Sequence, residues 1–146
     1  MRVRKLLIIL VLSIKSIVYI TLLIIILNNF IQANDPHLIT KREIVNRLER
    51  QIPLVRHDEE SYIDDWGDIH VKTLAGRESI LEILRNMRPR RFALGQRRRF
   101  TVHVMGIQIC FMYSGAIFVN GHYYTIADND HEKVREFYEY YVSPLR

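Results

Sequence analysis

A nearly uninterrupted apolar run close to the N-terminus constrains this chain more than any other sequence feature. Residues 6–27 form a stretch of 22, of which 17 are Leu, Ile or Val. These residues contribute about −5 to −10 kcal/mol toward membrane insertion, whereas Lys15 near the middle costs roughly 3 kcal/mol. As a helix the run rises about 33 Å, which matches a bilayer core of roughly 30 Å. The sequence therefore predicts a transmembrane helix over 6–27.

The charges around this run predict its orientation. Arg2, Arg4 and Lys5 precede it, whereas no Lys or Arg lies between residues 16 and 40. The positive-inside rule then keeps residues 1–5 in the cytoplasm and places the following domain outside. In a bacterium this corresponds to a single-pass inner-membrane protein with a periplasmic C-terminal domain.

An alternative interpretation treats the same run as a cleaved signal peptide. Residues 1–15 would be a long basic region, 17–27 the apolar region, and the sequence ending at Ala33 a small-residue cleavage site. The product would be a secreted effector, inhibitor or binding domain. Both interpretations export residues 34–146.

Lys15 has two interpretations within the retained helix. Its long side chain could reach the cytoplasmic headgroups, because lysine buries its apolar stem and keeps its ammonium group in water. Alternatively it pairs with an acidic residue on a transmembrane helix of a partner, which makes Lys15 a candidate membrane contact.

The overall charge of +5 does not indicate nucleic-acid binding. Four of the 21 Lys and Arg residues lie before residue 34, so 17 remain in the exported part against 16 Asp and Glu. A nucleic-acid-binding domain carries its positive charge on the domain itself. The single cysteine, Cys110, excludes an intrachain disulfide, and its neighbours Ile109 and Phe111 predict that the thiol is buried.

The exported part predicts a small α+β domain over 40–146, joined to the membrane helix by a linker over 28–39. A capping box with Thr40 as N-cap and Glu43 predicts a first helix over 41–51. Two short strands follow within 61–74, and apolar spacing predicts a helix over 76–87. Alternating residues predict an antiparallel four-strand meander with Asn120-Gly121 as a hairpin turn, and the helices are expected on one face. An amphipathic last helix is predicted over 131–142.

Seven arginines within residues 85–99 form the strongest local charge excess of the domain. Outside a membrane they predict contact with anionic lipid headgroups or an acidic partner face, and pairing with the acids of segment 58–68 is also open. Tyrosines near the C-terminus exceed what a core needs, and such residues anchor interfaces. The candidate partner-binding residues are Arg90, Arg91, Arg97, Arg98, Arg99, Tyr138 and Tyr141.

No residue pattern predicts catalysis or a resident cofactor. The six histidines lack metal-ligand spacing, and the acidic segment 58–68 lacks the order of ligands in a calcium loop. His70 and His103 lie opposite the apolar residues of their strands, so they are expected to face solvent or a partner. We therefore expect a non-enzymatic protein without a catalytic or metal site.

A basic tail, one span and a small α+β domain without motifs resemble a class of membrane proteins. The apolar stretch 6–27 and the lone Cys110 are consistent with the inner-membrane accessory proteins of bacterial virulence regulation, of the ToxS, PsaF and MyfF kind. The resemblance implies that the periplasmic domain binds a co-encoded membrane regulator, such as a transmembrane transcription activator, and modulates it. A small amphipathic ligand between sheet and helices is compatible with that role.

Overall fold

The computed structural model of the chain describes residues 2–90 and 96–145. It contains two compact units, Met1–Leu38 and Ile39–Arg146. The first is dominated by a long apolar helix, and the second combines a mixed sheet with helices. The chain is therefore α+β behind an N-terminal apolar helix, as the sequence predicts at this level.

The first helix, α1, spans Arg2–Ala33 and is longer than the predicted span. Its segment Val3–Ala33 is the one helix in the described part of the chain that is long and apolar enough to cross a membrane. The hydroxyl groups of Ser13 and Thr21 donate to carbonyl oxygens four residues earlier, each at 2.9 Å. These polar groups are therefore satisfied within the helix, as a lipid surrounding requires.

The second helix, α2, spans Pro36–Gln51 and begins earlier than predicted. The backbone N–H of His37 donates to Asp35 Oδ1 at 2.9 Å, so Asp35 satisfies an open donor of the first turn. Proline is well tolerated at the first helical position because its missing N–H would have no helical partner. The prediction of Thr40 as N-cap is wrong because Thr40 lies inside α2. The predicted linker 28–39 is accordingly helical except at two residues.

The strands of the second unit, from β1 to β7, are Tyr62–Ile63, Ile69–His70, Arg88–Pro89, Arg98–Val104, Ile107–Met112, Ala116–Val119 and His122–Thr125. They form one mixed sheet with the order β1-β2-β4-β5-β6-β7-β3. Strands β4 to β7, in the region of the predicted meander, pair antiparallel in chain order. The sequence does not predict that β2 pairs with β4 in parallel. Parallel neighbours require a long crossover, and the helix α3, Leu74–Asn86, lies in that connection.

Two-residue turns fix the register of the central strands. The predicted turn between β6 and β7 has φ of 47° at Asn120 and 81° at Gly121. Positive φ at both central residues matches the right-handed strand twist of a tight hairpin. Met105 and Gly106 make the same turn between β4 and β5, with φ of 49° and 77°. A methionine with positive φ costs roughly 1–2 kcal/mol. Because methionine is therefore rare at such positions, the sequence does not predict this turn.

The core is one cluster of apolar side chains between the sheet and the helices of the second unit. The last helix begins as α4, His131–Phe137, and continues as a π-helical turn over Tyr138–Val142. Alternation within β5 buries Ile109 and Phe111, which leaves Cys110 on the opposite face and only half-buried. The prediction of a buried thiol is therefore wrong. Large core side chains with almost no exposure include Leu48, Leu84, Ile109, Ile117, Tyr124 and Phe137.

Candidate interaction surfaces

Three consecutive arginines, Arg97 just before β4 and Arg98 and Arg99 at its start, form what we call the arginine strip. All three side chains are exposed. The β4–β5 register shifts between Arg98 and Phe100, so the strand carries an extra residue there and bends locally. Within residues 2–90 and 96–145, no carboxylate forms an ion pair with the arginine strip. The predicted internal pairing with segment 58–68 is therefore not seen for these arginines.

Aromatic rings hold two guanidinium groups of the arginine strip in place. The Arg97 guanidinium carbon lies 5.5 Å from the Tyr113 ring centroid, and that of Arg99 lies 4.9 Å from the Tyr138 ring centroid. Each exposed cation–π contact contributes about 0.5–1 kcal/mol. The positive charge of the strip is thus presented in a partly fixed arrangement.

Tyr138 and Tyr141 are half-buried rather than fully presented to solvent. The Tyr138 ring lies 5.3 Å from the Phe100 ring, and the Tyr141 ring lies 5.3 Å from the Phe137 ring, between centroids. Both tyrosines therefore pack against the core with part of each ring. Their predicted partner contact stays a prediction, and Tyr140, with 76% of its surface exposed, is the accessible tyrosine of this helix.

Arg90 does not join the arginine strip. The backbone N–H of Arg90 donates to the Tyr123 carbonyl at 2.9 Å, next to β7 and β3. Four strand spacings, about 19 Å, separate β3 from β4. Arg91 lies outside the described residues, and Lys15 is exposed on α1. The arginine cluster is thus contiguous in sequence but divided across the sheet.

The structure also contains a ladder of stacked rings that the sequence does not predict. The His70 and His103 rings stack at 4.7 Å between centroids and 9° between planes, and the Tyr62 ring stacks 4.6 Å from His70. The His70 Nε2 atom lies 2.8 Å from Asp64 Oδ2, and His103 Nε2 lies 2.9 Å from Asp68 Oδ2. We call these five side chains the ring ladder.

Asp64 fixes the turn that supplies both carboxylates. Its Oδ1 atom accepts the backbone N–H groups of Trp66 at 3.0 Å and Asp68 at 2.9 Å. The hydrogen bond from His70, followed by these backbone donors, holds the pKa of Asp64 below its ordinary value despite some desolvation. Gly67 supplies φ of 79°, which favours glycine. One carboxylate thus orients a turn and a histidine ring together.

The same turn presents the only tryptophan of the chain to solvent. Trp66 has 88% of its surface exposed, and the half-exposed Tyr62 lies on the neighbouring β1. A large rigid aromatic side chain on a hydrogen-bonded turn loses little conformational freedom when it binds, and such residues are enriched in interface hot spots. The turn is thus a second candidate contact surface. A tryptophan inside an acidic segment was the sequence signal that could have predicted it.

Metal ligation is not an evident use of these groups. In the described ranges 2–90 and 96–145, no three His, Cys, Asp or Glu side chains converge to hold a metal ion. Each histidine of the ring ladder directs one ring nitrogen to its own carboxylate. The arrangement can therefore orient rings, accept hydrogen bonds and stack against a flat group.

No protein-family model matches this sequence, and no curated protein or solved structure matches the chain.

Proposed function

We propose that the chain is a membrane-anchored, non-enzymatic accessory protein whose exported domain binds and modulates a partner membrane protein. A transmembrane transcription activator of virulence or fimbrial genes is the partner class that fits the resemblance described above. The observation that carries the proposal is α1, one long apolar helix ahead of a separate compact unit. Arg2, Arg4 and Lys5 at its start favour a cytoplasmic N-terminus and a periplasmic domain.

The arginine strip supports an acidic partner face. Three exposed guanidinium groups repel one another, and described residues offer them no compensating carboxylate. An acidic surface relieves this repulsion and adds charge-assisted hydrogen bonds. Electrostatic contacts at an exposed rim act mainly on the association rate and weaken as salt increases.

Lys15 supports a contact inside the membrane. A lysine near the middle of a span is costly unless it reaches the headgroups or pairs with an acid. Ser13 and Thr21, in contrast, are satisfied by their own helix. An acidic residue on a transmembrane helix of the partner would neutralise Lys15 and set the register of the two helices.

A second candidate function is a secreted effector, inhibitor or binding domain released by cleavage. It is favoured by the end of α1 at Ala33, followed by a turn at Asn34. A processing enzyme requires an accessible, non-helical segment, and this turn supplies one at the predicted cleavage position.

Fractionation separates the two functions. The full chain with a C-terminal tag is expressed in a bacterium, and membranes are washed with alkaline carbonate. The anchored protein should stay in the membrane pellet with residue 1 or 2 as its N-terminus. A soluble periplasmic product that begins at Asn34 would support release and contradict the anchor.

Affinity capture tests the partner contact. The tagged chain is purified from detergent-solubilised membranes of the organism that encodes it, and co-purified membrane proteins are identified by mass spectrometry. Arg97→Glu/Arg98→Glu/Arg99→Glu should lower the yield of a specific membrane regulator at least tenfold, because three attractive charges become repulsive.

A matched variant controls for net charge. Arg42, Arg50 and Arg56 are also exposed, and they lie outside the arginine strip. Arg42→Glu/Arg50→Glu/Arg56→Glu makes the same change in net charge and should retain the regulator. Equal loss in both triple variants would show that overall charge, not the arginine strip, determines binding.

A further inference from the structure

The first turn of α3 holds an almost fully buried arginine. Arg77 is 8% exposed, and its Nε atom is buried without a hydrogen-bond partner. In the described part of the chain, no carboxylate forms an ion pair with its guanidinium group. Buried charges in proteins are ordinarily paired, because removal from water is costly for the ionised form. Arg77 therefore requires an explanation.

The helix itself does not explain Arg77. The N-terminal end of a helix carries a partial positive charge, which disfavours a cation in the first turns and favours an anion. The nearby acids are used elsewhere, since Asp58 Oδ1 accepts the backbone N–H of Leu74 at 2.7 Å and Glu59 lies 3.6 Å from Lys72 Nζ. Asp58 and the N-cap Thr73 thus satisfy the start of α3, whereas the described residues supply no carboxylate partner for Arg77.

Arg77 lines a cavity of about 210 Å³. Its other lining residues include three further basic side chains and no acidic one. Val71, Met105 and Gly106 also line it, and most of the lining surface is apolar. The basic residues that line it are Arg77, Lys72, His70 and His103.

The ring ladder holds two of these side chains in position. The Nε2 atom of each histidine is bound to a carboxylate, and the two rings stack at 4.7 Å. Their orientation is thus set before anything enters the cavity, which reduces the entropy lost on binding. Lys72, whose contact with Glu59 is exposed, can turn toward the cavity at little cost.

We propose that this cavity binds a small oxyanion, a carboxylate or phosphate, with Arg77 as its principal ligand-binding residue. The planar guanidinium group matches both anions with two parallel hydrogen bonds. A volume of about 210 Å³ has room for a small anion, such as inorganic phosphate, acetate or succinate. This site is independent of the partner contact proposed above.

Calorimetry on the full chain in detergent tests the site. Sodium phosphate, acetate and succinate are titrated separately at constant ionic strength, with chloride as the compensating anion. Saturable one-to-one binding of at least one anion in the millimolar range or tighter is expected. Binding of phosphate alone would assign a phosphate ligand, and binding of acetate or succinate alone would assign a carboxylate.

Arg77→Met tests whether Arg77 carries the binding. Methionine keeps the apolar stem and removes the unpaired charge, so the unliganded variant should melt at the same temperature as wild type or higher. Its anion affinity should fall at least tenfold. Arg85→Met changes an exposed arginine of the same helix, which pairs with Glu49 at 2.9 Å, and should retain wild-type anion binding.

Two results would overturn the proposal. One is the absence of saturable binding of all three anions up to 20 mM in the wild-type chain. The other is equal anion binding by wild type and a folded Arg77→Met variant, because salts such as phosphate also stabilise proteins without a specific site. If Arg77→Met fails to fold, Arg77→Lys keeps the charge but loses the paired hydrogen bonds. Unchanged affinity in that variant would equally contradict the assignment.

Discussion

Helix propensity predicts that replacing Gly76, in the first turn of α3, by alanine stabilises the domain, but the contacts around Gly76 predict the opposite. Replacing glycine by alanine inside a helix ordinarily stabilises a protein by about 1 kcal/mol. At Gly76 a Cβ atom would lie 2.7 Å from Val71 Cγ1 and 2.8 Å from Thr73 Oγ1. We therefore expect Gly76→Ala to destabilise the domain.

The size of the effect follows from the two contacted side chains. Val71 is 1% exposed and cannot move into solvent. Thr73 is the N-cap of α3, and its Oγ1 atom accepts the Gly76 N–H at 3.2 Å. Overpacking costs about 1–3 kcal/mol, and disturbance of the cap adds about 1 kcal/mol. After subtraction of the propensity gain, a net loss of roughly 1–3 kcal/mol remains.

Urea unfolding of residues 35–146, followed by circular dichroism, measures this loss. Ala75→Gly, in the same turn but exposed, isolates the propensity effect and should cost about 1 kcal/mol. In a Val71→Ala background, Gly76→Ala should lower the free energy of unfolding by less than it does in wild type, because the smaller side chain leaves room for the new methyl group. A Gly76→Ala variant as stable as wild type would refute the steric reasoning.

Two further predictions concern pH. Because the pKa of Asp64 is lowered in the folded chain, its bond with His70 stabilises the domain above the ordinary carboxyl value of 3.8. This stability is lost as pH falls through the lowered pKa of the folded chain. The Asp64→Asn variant should therefore lack this part of the acid-dependent loss of stability. The fluorescence emission of Trp66 measures unfolding of the turn. The hydrogen bond to Glu82 raises the pKa of Lys133 above 10.5, so its contribution is present below pH 10.5 and lost as pH rises through the folded value. Lys133→Met should remove this alkaline dependence in thermal melts, and an unchanged pH profile in either variant would contradict the corresponding assignment.

Local patterns predicted most elements of the second unit. Apolar spacing places α3 within one or two residues, and alternation with Asn120-Gly121 places β4 to β7 closely. The boundary between α1 and the domain was less predictable. Thr40 and Glu43 match the sequence pattern of a capping box, but α2 already begins at Pro36, next to Asp35. Thr40 therefore lies inside the helix.

The arginine cluster shows why sequence proximity is a poor guide to a surface. Arg90 follows β3 at one edge of the sheet, whereas the arginine strip lies at the start of β4 and just before it. Strands β5, β6 and β7 lie between β4 and β3 in the sheet. Period and charge carry no information on this separation, because it depends on which strands pair. Arg97, Arg98 and Arg99 therefore form a positive surface that Arg90 does not join.

The ring ladder depends on the same kind of long-range pairing. His70 and His103 are 33 positions apart, and they meet because the parallel β2–β4 register places them side by side. Neither histidine has a local motif, and each carboxylate partner lies in a segment that resembles an ordinary acidic loop. Once the strands pair, however, the Asp64 turn orients both rings and leaves the cavity beside them lined with basic groups. This polar arrangement is thus created by strand pairing, and a change that disrupts the β2–β4 pairing should disorder the rings and the cavity together.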